Sequence, residues 1–185
     1  MNVKKRWKSL LTVLASASLL LAACGDEGDE ASSSKTYNIG VTQIAEHPSL
    51  NAAYDGFKKA LEDAGIEAEY EFQNAQGDGN NNTTIATNLV SSNVDLIFAN
   101  STGSAQAALS ATQDIPIVFT SVTDAVGAEL VESMEKPGGN VTGTIDSHPD
   151  AIANTMKFLK EELGATKVGM VFNSGEQNSR SQVDS

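Results

Sequence analysis

Residues 94–124 read VDLIFANSTGSAQAALSATQDIPIVFTSVTD, two short apolar runs on either side of an alanine-rich segment. Val94 to Ala99 and Ile115 to Thr120 are too short and too continuously apolar for surface helices, and each suits a strand buried on both faces. Ser104 to Thr112 between them reads as a helix rich in alanine, the strongest helix former. Strand, helix and strand in so few residues make a βαβ unit, and such a unit requires a parallel sheet.

The pattern extends in both directions. Upstream, Tyr37, Ile39 and Val41 recur at every second residue, as in a strand ending near Thr42. Leu50, Ala53, Phe57, Ala60, Leu61 and Ala64 then follow at helical spacing, with Ser49 available as a cap and Gly65 placed to end the helix. Ile66, Ala68, Tyr70 and Phe72 alternate with Glu67, Glu69 and Glu71, a strand with one wet face near a sheet edge. A helix over about 81–92 follows, with Ile85 and Leu89 inward and Val90 beside them; Gly77-Asp78-Gly79 before it is a turn and cap. Downstream, the spacing predicts a helix over about 126–134, a turn at Pro137-Gly138-Gly139-Asn140 and a strand over 141–145. The class is α/β, a doubly wound parallel lobe over 37–145 with helices on both faces.

Residues 146–185 begin the alternation again. A helical stripe of Ile152, Met156, Leu159 and Leu163 precedes the apolar run KVGMVF at 167–172, which reads as a buried strand. One helix and one strand cannot bury themselves, so this part reads as the start of a second, incomplete α/β lobe.

The N-terminus is of another character. Lys4, Lys5, Arg6 and Lys8 lead into an apolar run from Leu10 to Ala23, shorter than the roughly 20 residues of a spanning helix. Residues 1–23 therefore read as a secretory signal peptide. Leu21-Ala22-Ala23-Cys24 resembles the lipobox of bacterial lipoproteins, which implies cleavage before Cys24 and a lipid on its thiol. Two or more acyl chains there would give stable anchoring where one does not. Residues 24–36 are acidic and rich in Gly and Ser, a flexible tether. The protein is then expected outside the cytoplasm, held to a bacterial membrane by lipid at Cys24.

Charge and composition exclude several functions. Four of the 12 basic residues precede Cys24 and none of the 24 acidic ones does, so the remainder carries 8 against 24, a formal charge of −16. That balance repels nucleic-acid phosphates. Cys24 is the only cysteine, so no internal disulfide is available. His47 and His148 both precede proline and read as turn residues, and no spacing suggests a metal site. No Ser-His-Asp or Cys-His arrangement can be assembled, so the chain reads as a binding protein that is not an enzyme and needs no cofactor.

In open α/β sheets ligands bind beyond the carboxyl ends of the strands. The loops there are Thr42 to Glu46, Asn100 to Ser104, Thr120 to Asp124 and, in the second lobe, Asn173 to Ser179. They offer hydroxyls, amides and free N–H groups at helix starts, which favour a carboxylate. Ordinary N-capping accounts for the same residue types. Asp124 and Glu176 could pair with an amine, so an amino-acid-like solute fits.

Several stretches carry a family resemblance: IGVTQ at 39–43 with Glu46-His47-Pro48, DGF at 55–57, QNAQGD at 73–78, IPIVFT at 115–120 with Val122-Thr123-Asp124, and KPGGNVTG at 136–143. Together they resemble the substrate-binding proteins of ABC transporters of the tryptophan/tyrosine type, which have a type I periplasmic-binding fold. The resemblance implies two lobes closing on a small solute and delivering it to ABC permease subunits. It implies first-lobe contacts from Thr42, Gln43, Ser101, Thr102, Thr123 and Asp124, and second-lobe contacts from Asp146, Glu176, Asn178 and Ser179. A ligand-sensing ectodomain with the same fold is the alternative. A repressor with this fold would need a DNA-binding helix pair in place of the lipobox.

Overall fold

The computed structural model describes residues 35–184. The signal-peptide reading, Cys24 and most of the tether lie outside them. Ten elements follow in order: β1 (Tyr37–Gln43), α1 (Pro48–Asp63), β2 (Ala68–Asn74), α2 (Gly79–Ser91), β3 (Leu96–Asn100), α3 (Thr102–Ala111), β4 (Ile117–Val122), β5 (Val141–Ile145), α4 (Ala151–Glu161) and α5 (Gln177–Val183).

All five strands are parallel, in the order β2-β1-β3-β4-β5. The glutamate-bearing β2 is therefore an edge strand, where alternating charge also discourages pairing with another chain. Chain direction diverges between β1 and β3, and there Gln43 is in register with Asn100. Asn100 is in turn opposite Thr120 of β4. The carboxyl edge thus presents a row of polar residues at the point of divergence.

The two faces of the sheet are covered differently. On one, α2 and α3 contribute Ile85, Leu89, Ala105 and Ala108 to a core with Ile97, Ala99, Ile117, Phe119 and Val122. On the other, Ile39, Val41 and Phe98 lie beneath Tyr54, Phe57 and Leu61 of α1. Phe57 stacks on Phe98 at 4.2 Å between ring centres, and Tyr54 stacks on Phe72 at 5.4 Å. Phe98 and Phe119 are core residues, whereas Phe72 stays half in water. Burial pushes the Tyr54 and Tyr70 phenols above their ordinary range.

The helix starts follow local chemistry. Pro48 occupies the first turn of α1, so the cap falls on His47 and not on Ser49 as its residue type suggests. The extended backbone required before proline suits a cap, and His47 Nδ1 accepts from the Ser49 N–H at 3.2 Å. Gly65 ends the helix region at φ 69°. Asp78 caps α2, accepting from the Asn80 N–H at 2.8 Å. Before β1, Lys35 Nζ donates to Asp95 at 2.8 Å. This hydrogen bond, with another from the Asn38 N–H, holds the Asp95 carboxyl below its usual range.

Two expected elements are absent from the described residues. Residues 126–134 form turns, not a helix. One helical turn closes with the Ala128 N–H on Asp124 O at 3.0 Å, and then Glu129 adopts φ 57°. The chain leaves as a loop whose Glu132 N–H bonds Pro137 O at 3.0 Å. Ala125, Ala128, Leu130 and Val131 are still buried, so the apolar pattern reports burial through a turn. Residues 167–172 are likewise not a strand: they pair with nothing, and Val168, Met170, Val171 and Phe172 are exposed. A parallel strand needs a neighbour to take its N–H and C=O groups, and none of the described strands pairs with this run.

Candidate functional site

Asn100, the last residue of β3, anchors the point where chain direction diverges. It is fully buried, and its Nδ2 donates to Gln43 Oε1 at 2.9 Å and to Leu50 O at 2.8 Å. Gln43, also fully buried, donates through Nε2 to Ala45 O at 2.8 Å and to Asn51 Oδ1 at 2.9 Å. This web ties the first turn of α1 and the loop after β1 to the carboxyl edge. These bonds fix geometry, because breaking one leaves a buried group unpaired at a cost greater than the bond gains. Asn100 Oδ1 itself is buried with no partner among the described residues.

From Asn100 the chain turns directly into α3. Ser101 caps that helix, its Oγ accepting from the Ser104 N–H at 3.1 Å, with φ 152°. A serine held at such an angle is strained, and strain of this kind gathers at functional sites. Ser121, the penultimate residue of β4, has φ 56°. The Ala105 N–H bonds Ser101 O, so the N–H groups of Thr102 and Gly103 precede the first intrahelical bond, at the positive end of the helix dipole. Behind them Ser104 Oγ donates to Asn82 Oδ1 at 3.1 Å in the buried contact with α2. A side chain at position 103 would crowd the Asn82 amide at 3.2 Å, so glycine lets the two helices approach.

A cleft of about 480 Å³ opens here, within the range of small-molecule sites. Ser101, Thr102 and Gly103 form one wall with Ser121, Asn82 and Thr83 reach it from α2, and Glu176, Gln177 and Asn178 close it from the opposite side. Most of the lining residues are Ser, Thr, Asn, Gln or Gly, with one carboxylate and with Ile44, Ala107 and Ala111 among them.

Nine of the ten anticipated contact residues fall into three groups. Ser101, Thr102, Glu176 and Asn178 line this cleft. Thr123, Asp124 and Asp146 line a second depression of about 450 Å³, together with His148 and Ile152. Thr42 and Gln43 are fully buried in the sheet below. Ser179 is half-buried and donates to Glu176 Oε2 at 3.3 Å, while Asn173 Nδ2 donates to the other carboxylate oxygen at 2.9 Å. Asp124 Oδ1 accepts from the Gly127 N–H at 2.8 Å, so it caps the turn that follows. Ser121 and Gln177 lie in loops anticipated beyond the strands but were not singled out as contacts, and Asn82 was not legible as a site residue at all. Asn82 lies in a helix interior, and only the packing of α2 on α3 brings it to the cleft.

Among the described residues no cluster of three or more His, Cys, Asp or Glu side chains could hold a metal ion. No described helix is long and apolar enough to cross a membrane.

Residues 38–185 match the family model described as ABC transporter substrate binding protein. A tyrosine-binding protein of Clostridioides difficile (strain R20291) is 45% identical over 194 residues, covering 98% of this chain and 56% of that protein. A conserved domain protein from Vibrio cholerae has 41% identity and a TM-score of 0.76, over 81% of this chain and 52% of that one. The ABC domain from Streptococcus pneumoniae, solved in complex with L-Trp, has 34% identity and a TM-score of 0.75 over the same shares. The chain spans about half the length of these relatives.

Proposed function

This chain belongs to the ABC transporter substrate-binding protein family, and on that premise we propose that the full-length protein captures an aromatic amino acid between two lobes and passes it to an ABC permease. The observation that carries the reading is the cleft at the carboxyl edge, walled by Ser101–Gly103 on one side and by Glu176–Asn178 on the other. The uncommitted N–H groups at the start of α3 suit a carboxylate. Glu176, and beside the second depression Asp124 and Asp146, supply negative charge for an ammonium group. The relatives named for tyrosine and solved with L-Trp support the side-chain class.

The reading includes the rest of the architecture. Residues 146–185 are the beginning of the second lobe: α4 has no fully buried residue, and 167–172 stays exposed, as elements do when their partners lie elsewhere. Thr42 and Gln43 act from beneath the cleft, whereas Thr123, Asp124, Asp146 and Ser179 act at its margins as the lobes close. Residues 1–23 direct export, Cys24 carries the lipid, and 24–36 link the domain to it. The protein performs no catalysis.

Thermal unfolding of the full-length protein with amino acids, sugars and nucleosides tests the proposal. L-Tyrosine or L-tryptophan at a hundredfold excess over Kd is expected to add about 2.7 kcal/mol to the folded state. Sugars and nucleosides are expected to add nothing. A folded protein whose unfolding temperature no amino acid raises would contradict the reading and favour a sensor of other ligands.

A further inference from the structure

Residues 173–178 meet the turn after β4 at the rim of the cleft. Gln177 opens α5 and lines the cleft, and its Oε1 is buried without a hydrogen-bond partner. Its Nε2 lies 3.1 Å from the point where a Cβ on Gly127 would stand. The Asp124 carboxyl group crowds the same point. Glycine at 127 therefore allows the Asp124 carboxylate and the Gln177 amide to approach one stretch of backbone, and a side chain there would displace one of them.

Several acceptors around Gln177 already hold a donor. Both Glu176 oxygens accept from neighbours, Asn173 and Ser179. Asp124 Oδ1 accepts from Gly127. Gln177 is thus a cleft-lining residue whose buried Oε1 no described group satisfies, and a buried amide oxygen is costly until a donor reaches it. An N–H donor on a bound solute answers that need; a carboxylate or an ether oxygen does not.

We propose that Gln177 is a ligand-contacting, specificity-setting residue, its Oε1 accepting a hydrogen bond from an amino group of the solute, so that the cleft discriminates amines from otherwise identical ligands lacking one. This rests on the reading of the cleft as an amino-acid site and adds the residue that reads the amino group.

The test compares L-tyrosine with its des-amino analogue, 3-(4-hydroxyphenyl)propionate, by titration calorimetry on the full-length protein. Gln177→Met keeps the side-chain length and removes the acceptor, and is expected to raise Kd for L-tyrosine about tenfold or more. The same variant should cost the analogue, which has no amino group for Oε1 to accept from, much less than it costs L-tyrosine. Gln177→Glu retains acceptor oxygens and is expected to keep L-tyrosine within about threefold of wild type, or tighter, since hydrogen bonds between charged groups are the strong ones. Wild-type affinity for L-tyrosine in Gln177→Met, or an equal loss for both ligands, would overturn the assignment while leaving the amino-acid reading in place. Failure of the wild-type protein to bind any aromatic amino acid would overturn that reading, and the assignment with it.

Discussion

Gly143→Ala is expected to destabilise the protein by about 3 kcal/mol, at the upper end of the usual cost of forcing extra atoms into a packed core. Gly143 lies in β5 opposite Phe119 of β4. A Cβ there would fall inside contact distance of the Phe119 carbonyl oxygen and 2.6 Å from atoms of its ring. Backbone cannot yield as a flexible side chain can, so β5 must move away from β4 or the fully buried Phe119 ring must leave its place. Either response loosens the strand that borders residues 120–124. Urea unfolding of the full-length protein reads the effect as a lowered midpoint. Gly139→Ala is a poor control because Gly139 sits at φ 47°; Thr142→Ala, at an exposed neighbouring position, should change the midpoint little. An unchanged midpoint in Gly143→Ala would mean that β4 and β5 are not packed as closely as described.

Asn100→Ala is the second large effect, about 2–5 kcal/mol from leaving buried acceptors unpaired. The substitution strips Gln43 Oε1, which is buried, and Leu50 O, which is partly buried, of their donor. Asn100→Asp is expected to be no better, because a carboxylate would face two acceptors. The damage should also reach the cleft, since Ser101 and Thr102 follow Asn100 directly. Urea unfolding and a tyrosine titration on the same variants separate the two consequences. A loss below about 0.5 kcal/mol, the range of ordinary surface substitutions, would show that the web does not hold the edge together.

How much of this was legible in the chain depended on the range of the forces involved. The βαβ unit at 94–122 was readable because burial on both faces dictates apolar strands, and alanine dictates the helix between them. Asp78 and Gly65 were readable because caps act within a few residues. His47 as a cap was missed: proline at 48 moves the helix start one step earlier than the residue type at 49 suggests. The turns at 126–134 were missed because burial of Ala125, Ala128, Leu130 and Val131 imitates a helical stripe while Glu129 turns left-handed. The run at 167–172 has the composition of a strand, but strand formation depends on a neighbour that local composition does not reveal.

The site shows the same division. Loops beyond the carboxyl edge were identifiable from topology, and they supply Ser101 and Thr102; Glu176 and Asn178 line the cleft although the run before them, 167–172, is not a strand. The burial of Gln43 was not identifiable, because it depends on Asn100, 57 residues away. Gln177 carries no motif of its own. Its unpaired oxygen becomes visible only where the chain returns to the cleft.

Hydrogen exchange on the full-length protein, with and without saturating L-tyrosine, tests the placement of the ligand most directly. The account predicts slowed exchange at residues 101–104 and 175–178, the two walls of the cleft. Slowing confined to residues 123–126 and 145–152 would place the ligand in the second depression, and no slowing at either wall under saturation would contradict the account.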